Sequence, residues 1–230
     1  MSTRSAPAGA STAVLLSGGL DSAVLLADEA SCGPVQPVYV RAGLAWEDGE
    51  RAMVDRLLAA PPLAGRVPPV VELSVSVADV YAPTHWALRG TPPAYDTPDE
   101  DVYLAGRNIL LLSKAGVLCA KMGLDRIAIG PLAGNPFPDA TPEFFESMER
   151  TLSLGLAHAV TIAAPFARMH KAEVIARGAA LHVPFELTIS CMNPKEGRHC
   201  GACSKCRERH DAFAEAGIAD PTEYAAAPPR

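Results

Sequence analysis

The sequence predicts an α/β fold, a parallel sheet with helices on both faces, followed by a C-terminal four-cysteine zinc-binding segment. Three observations predict it. An apolar run from Ala13 to Leu16 enters a glycine-bearing turn and then a helical stretch from Leu20 to Ala30. Short apolar runs and stretches of helical spacing then alternate, the pattern of a parallel sheet covered on both faces. Four of the six cysteines fall within the sixteen residues from Cys191 to Cys206.

The chain has 230 residues, enough for one domain with a sizeable core. Its 49% hydrophobic and 20% charged residues are ordinary for a globular protein. A net charge of −6 argues against a large nucleic-acid surface, so no nucleic-acid partner is expected. No apolar run is long enough to span a membrane. Met1 to Ser11 holds one arginine and no apolar core of a secretory signal, which points to the cytoplasm. The expected division is a loose leader over 1–12, an α/β domain over 13–187, a cysteine segment with its helix over 188–216, and a tail over 217–230.

The first turn carries the chemistry. A strand that enters a helix through glycines presents free N–H groups at the positive end of the helix dipole, a ready anion site. Gly18 and Gly19 let the backbone approach a phosphate. The hydroxyls of Ser17 and Ser22 can donate to phosphate oxygens, and Asp21 can hold a magnesium ion or orient a water. The plain alternative is a structural corner with Asp21 or Ser22 as a helix cap. The turn lacks both the lysine of a Walker loop and the G-x-G-x-x-G of a dinucleotide fold.

A second strand follows at Val35 to Val40. Asp48 to Ala60 has helical spacing, with Met53, Val54, Leu57 and Leu58 on one side, and Pro61 and Pro62 end it. Pro68 to Val75 reads as a third strand. Tyr81 to Asp101 breaks the rhythm with four prolines, three aromatics and no period. It reads either as a lid over a ligand beyond the strand ends or as a surface excursion. Arg107 and Asn108 then lead into an apolar helix that reaches about Lys121 and buries Cys119. A cation at a helix N-terminus is unfavourable unless it faces an anion, so Arg107 suits phosphate or carboxylate.

Arg126 to Gly130 is a fourth strand, and Pro131 to Pro142 a loop bearing Asn135 and Asp139. Glu143 to Gly155 is a helix with Thr141 as a possible cap and Pro142 as its first residue. Thr161 to Ala164 is a short strand, and His170 to Ala180 a helix whose Lys171 reads equally as a phosphate ligand or a surface lysine.

The spacing Cys191-x8-Cys200-x2-Cys203-x2-Cys206 suits the tetrahedral preference of zinc and leaves no open position, so the metal is structural. It would pin the helix at about Ser204 to Ala216 to the core. An iron–sulfur cluster is the rival. Lys195, Arg198, Lys205, Arg207 and Arg209 crowd the segment and can offset the charge of four thiolates, and His199 is expected beside the site rather than on the metal.

The composite Ser17-Gly-Gly-Leu-Asp-Ser22 resembles the pyrophosphate loop of the ATP pyrophosphatases. With Gly106-Arg-Asn108, Phe137-Pro-Asp139, Thr141-Pro-Glu-Phe144, Lys171-Ala-Glu-Val174 and Ser190-Cys191, the chain from about Ala13 to Phe213 resembles the 7-cyano-7-deazaguanine synthase family. The resemblance implies an adenine nucleotide alpha hydrolase-like (PP-loop) fold over 13–187, an ATP-dependent carbon–nitrogen ligase, and a place in queuosine precursor synthesis. It implies ATP on Leu16, Ser17, Gly18, Gly19, Leu20, Asp21 and Ser22 with Mg²⁺, and one structural Zn²⁺ per chain on Cys191, Cys200, Cys203 and Cys206. A carboxylate such as 7-carboxy-7-deazaguanine is adenylated, converted by ammonia to an amide, activated again and dehydrated to the nitrile. Asp21, Arg107 and Lys171 are then the catalytic set, Arg107, Asn108 and Asp139 the substrate contacts, and a homodimer the common assembly.

Two stretches depart from the family pattern. The aromatic, glycine and Gln-Arg-His that follow its second strand are replaced by Arg41-Ala-Gly-Leu-Ala-Trp-Glu-Asp-Gly49. The loop before Asp139 is shortened to Leu132-Ala-Gly-Asn-Pro136, and Ala140 stands where the family has a cysteine. A related ligase for a different acid, another heterocycle or a protein terminus, is therefore the second reading. A tRNA-modifying relative is disfavoured by the acidic charge, and an amidotransferase by the lack of room for a glutaminase domain. A zinc module that binds ATP without turnover is the non-enzyme reading.

Overall fold

The computed structural model describes residues 12–229. Five strands, β1 (Thr12–Leu15), β2 (Val35–Arg41), β3 (Val71–Ser74), β4 (Arg126–Ala128) and β5 (Thr161–Ala163), form one sheet in the order β3-β2-β1-β4-β5. Every pairing is parallel. The expected leader lies outside the described residues except for Thr12, which already belongs to β1 and pairs with Val35 and Arg126.

Successive strand residues point to opposite faces, and both faces are apolar. Val14, Tyr39 and Ala128 pack under α1 (Leu20–Cys32), α2 (Glu47–Leu58), α6 (Lys171–Ala180) and α7 (Ser204–Ala216) through Val24, Val54, Val174 and Phe213. Ala13, Val38 and Ile127 pack under α4 (Arg107–Met122) and α5 (Pro142–Leu156) through Leu112, Cys119 and Phe145. Gly178 lets α6 approach α1, because a Cβ there would lie 2.6 Å from Val24 Cγ2. The cap expected of Thr141 forms, with its side chain accepting from the Phe144 N–H at 3.2 Å and Pro142 opening α5.

The chain runs outward from β1 to β3 and then returns to β4 and β5 on the other side. The turns after β1 and β4 therefore diverge and open a crevice beyond the strand ends. The segment expected to lack periodicity packs above this crevice. It holds a single helical turn, α3 (Trp86–Arg89), and a 3₁₀ turn over Asp99–Val102. Ala94 bridges to Cys203, Arg207 donates to the Thr97 carbonyl, and Trp86 stacks on Trp46 with ring centroids 5.6 Å apart. The tail is also placed. Its Ala225 N–H donates to the His199 carbonyl at 2.7 Å, and the His199 N–H donates to Glu223 at 3.0 Å. No described helix is long and apolar enough to cross a membrane.

Candidate active site and metal centre

A cavity of about 600 Å³ occupies the crevice, lined by Ser17, Gly19, Leu20 and Asp21 from the first turn, by Arg107, and by Lys171 and Glu208. A second cavity of about 250 Å³ adjoins it and reaches between Leu16, Tyr39 and Ile129 at the strand ends. Ser17, Gly19, Asp21, Glu50 and Arg107 line both.

The first turn is held by its own serines. Ser22 Oγ donates to the Gly19 carbonyl at 2.9 Å and accepts from the Ser17 N–H at 3.2 Å. Gly19 is the N-cap of α1 and no side chain caps the helix, so neither Asp21 nor Ser22 fills that structural role. The first-turn amides of α1 thus remain for an anion. Gly18 holds the turn against α2. It lines neither cavity, takes a φ of 75°, and lies so close to α2 that a Cβ would meet the Glu50 carbonyl at 3.0 Å.

Lys171, ambiguous in sequence, is an interior group. Its Nζ lies 3.2 Å from Asp21 Oδ2 and also pairs with Glu208, which in turn bonds Lys205 at 2.6 Å. Burial works against the Lys171 charge, but the two carboxylates outweigh it and hold the ammonium protonated. Burial likewise opposes ionisation of Glu208, and the two lysines overcome it, bringing its carboxyl down to about 2. Asp21 is pushed up by burial, with Lys171 opposing, and its Oδ1 is buried without a hydrogen-bond partner among the described residues. An orphaned carboxylate oxygen beside uncapped amides fits a divalent cation on a phosphate. Arg107 Nε is buried and unpartnered in the same sense.

Asn108 and Asp139 face each other. The Asn108 N–H donates to Asp139 Oδ2 at 3.0 Å, and Asn108 Nδ2 donates to the Asp139 carbonyl at 2.9 Å. Asp139 is buried and lines neither cavity. Its carboxylate accepts at the N-terminus of α4 and so holds Asn108 in place.

At the other end of the crevice the four Sγ atoms of Cys191, Cys200, Cys203 and Cys206 lie within 4.8 Å of one another, and all four residues are buried. A tetrahedral ion with bonds of about 2.3 Å needs sulfurs about 3.8 Å apart. Cys200 and Cys206 stand at 3.9 Å, and Cys203 and Cys206 at 3.5 Å. The N–H groups of Asn193 and Cys200 donate to Cys191 Sγ at 3.3 and 3.2 Å, the polarity a thiolate needs. The donor set fits a closed metal site. His199 stands beside it, with Nε2 accepting from the Ser190 N–H at 3.0 Å. The basic residues do less for the thiolates than expected. Arg209, fully buried, donates instead to Thr222, Thr188 and the Phe185 carbonyl, and Arg198 pairs with Glu196.

Residues 88–217 match the family model described as queuosine biosynthesis protein QueC. The chain is 35% identical over 229 residues to a 7-cyano-7-deazaguanine synthase of Anaeromyxobacter dehalogenans, covering 92% of this chain and 94% of that one. It is 36% identical over 223 residues to the enzyme of the same name from Pseudomonas syringae, with the same coverage of both chains. The chain belongs to the QueC family. A solved 4-thiouridine synthetase in complex with RNA and ATP is similar at a TM-score of 0.49 and 16% identity, over 90% of this chain and 51% of that one.

In this QueC-family chain the remaining walls of the larger cavity are aromatic and acidic. Trp46 and Trp86 line one side and Phe137, stacked on Tyr103 at 5.1 Å, the other. A flat heterocycle suits such walls. Trp86 and Glu208 were not legible as site residues in the sequence, and Trp46 and Glu50 stand out only as part of a stretch, 41–51, that departs from the family pattern. The run around Glu50 shows only a helix period, and Glu208 lies among surface-like charges of α7.

Proposed function

We propose that this chain is an ATP-dependent carbon–nitrogen ligase that converts 7-carboxy-7-deazaguanine and ammonia to 7-cyano-7-deazaguanine. One observation carries the reading. Two buried polar atoms, Asp21 Oδ1 and Arg107 Nε, have no hydrogen-bond partner among the described residues and belong to residues on the wall common to both cavities, the first of them at an uncapped helix start. The site therefore suits a polyanion with its cation, and the family supplies the reaction.

On this reading Leu16, Ser17, Gly18, Gly19, Leu20, Asp21 and Ser22 bind ATP as a substrate, and Gly18 also holds the loop against α2. Mg²⁺, held by Asp21, would supply charge neutralisation at the phosphates. Arg107 and Lys171 stabilise charge that builds as pyrophosphate and then AMP leave. A carboxylate is a poor electrophile, and an adenylate gives it a good leaving group. Zn²⁺ on the four cysteines would fix α7, and with it Glu208, against the site.

The test is mass spectrometry of the products formed by purified protein from Mg-ATP, ammonium and 7-carboxy-7-deazaguanine. The expected result is the nitrile together with AMP and pyrophosphate. Trp46, in the stretch where the resembled family has a basic and amide cluster, stacks on Trp86 and favours one second reading, a ligase for another flat acid. Tight ATP binding without nitrile would select it.

A further inference from the structure

Glu50 takes no part in the neutralised cluster around Lys171. It sits in the first turns of α2, and its carboxylate accepts from the Tyr39 O–H at 3.0 Å and from the Trp46 side chain. It lines both cavities beside Ser17, Asp21 and Arg107, where a phosphate on the first turn and an acid in the larger cavity meet. We infer that Glu50 is the general base that removes nitrogen-bound protons during nitrile formation. The inference rests on the functional reading above.

The chemistry demands such a group. Ammonia has three N–H bonds and a nitrile has none, so three protons leave one nitrogen at one place. In the first, nitrogen attacks the acyl adenylate, the carbon–nitrogen bond forms, AMP departs with its oxygen, and one proton goes to the base. In the second, the amide oxygen attacks the α-phosphorus of a second ATP, pyrophosphate leaves, and the nitrogen loses another proton. In the third, the last N–H proton leaves as the carbon–nitrogen triple bond forms and the carbon–oxygen bond to AMP breaks. Nothing is oxidised or reduced.

Asp21 and Glu50 are the two acids that line both cavities, and of these Asp21 is held by a cation. Asp21 and Glu208 are paired with Lys171, Asp139 holds Asn108, and Glu47 accepts from the Ala42 and Gly43 N–H groups. The charged and titratable groups that face Glu50 are Arg107 from α4, Tyr39 from β2 and Glu47 from its own helix. Burial raises the Glu50 carboxyl to about 7, with Glu47 adding to the rise and Arg107 and the two hydrogen bonds opposing it. A carboxylate poised there can take a proton and return it to solvent between steps.

The experiment compares wild type, Glu50→Gln and Tyr39→Phe in three assays: ATP–pyrophosphate exchange driven by 7-carboxy-7-deazaguanine, nitrile formation, and the pH profile of the nitrile rate. Glu50→Gln is expected to keep the exchange within about threefold while the nitrile rate falls by about 10²–10⁴-fold and its acid limb near pH 7 vanishes. Tyr39→Phe removes a donor that favours the ionised form, so its acid limb moves to higher pH with the plateau rate kept. Exchange that falls in parallel with the nitrile rate overturns the inference, as does a limb near 7 that persists in Glu50→Gln and so belongs to another group. A wild type that makes no nitrile overturns the functional reading and the inference together, and is distinguished because the defect then precedes any substitution.

Discussion

Lys171 Nζ, on the first residue of α6, stands 3.2 Å from Asp21 Oδ2 on the second residue of α1. The pair joins the first βα unit to the last third of the chain, and Glu208 extends it to the helix that carries Cys206 and has Cys203 as its N-cap. Three charged groups from three elements thus form one buried array at the foot of the crevice.

Removing the central cation is expected to be costly. Lys171→Met leaves Asp21 and Glu208 as neighbouring buried carboxylates, a loss of about 3–5 kcal/mol. AMP formation is expected to fall by about 10²–10³-fold. The double variant Lys171→Met with Glu208→Gln recovers part of the stability and none of the rate, as thermal unfolding and AMP release would read.

Gly18 predicts a separable effect. An alanine there carries a left-handed φ of 75° and places its Cβ 3.0 Å from the Glu50 carbonyl and 3.2 Å from Val54 Cγ2. The backbone term alone is about 1–2 kcal/mol. The first turn shifts away from α2, so ATP affinity is expected to fall at least about tenfold with the circular dichroism spectrum unchanged.

The raised carboxyl of Glu50 predicts how stability depends on pH. Its value moves from 4.5 to about 7 on folding, so the native state binds the proton more tightly than the unfolded chain. The stabilisation is complete below 4.5 and is lost as pH rises through about 7. At about 1.4 kcal/mol per unit, the whole change is on the order of 3 kcal/mol. Glu50→Gln removes it, so urea unfolding should find the variant more stable than wild type at pH 8.5 and equal to it near pH 4.5.

The metal centre predicts a stoichiometry and a dependence. One zinc per chain is expected by elemental analysis, and four further thiols should become titratable after chelation. Structural zinc contributes on the order of 10 kcal/mol, comparable to the whole stability of a domain. Cys206→Ser is therefore expected to release α7 and the tail. Limited proteolysis would detect cleavage after residue 188.

Substrate selection is expected to rest on the paired tryptophans. Trp86→Ala opens one wall and leaves the first turn intact. Its KM for the acid should rise at least about tenfold while its affinity for ATP stays within about twofold, as steady-state kinetics would show.

Local pattern alone determined much of this protein. The apolar run before Ser17, the cap at Thr141, the helix at Ser204–Ala216 and the four-cysteine spacing depend on neighbours within a few residues, where periodicity and turn chemistry decide the outcome. The ordering of Tyr81–Asp101 was not legible, because its contacts are distant ones to Trp46, Cys203 and Arg207. The surroundings of Lys171, Glu208, Asp139 and Glu50 were decided only by tertiary structure. Each is a polar side chain whose partner lies on another element, and burial fixes its charge. A sequence states which groups a chain carries, but which of them leave water, and beside what, is set when the sheet brings the ends of its strands together.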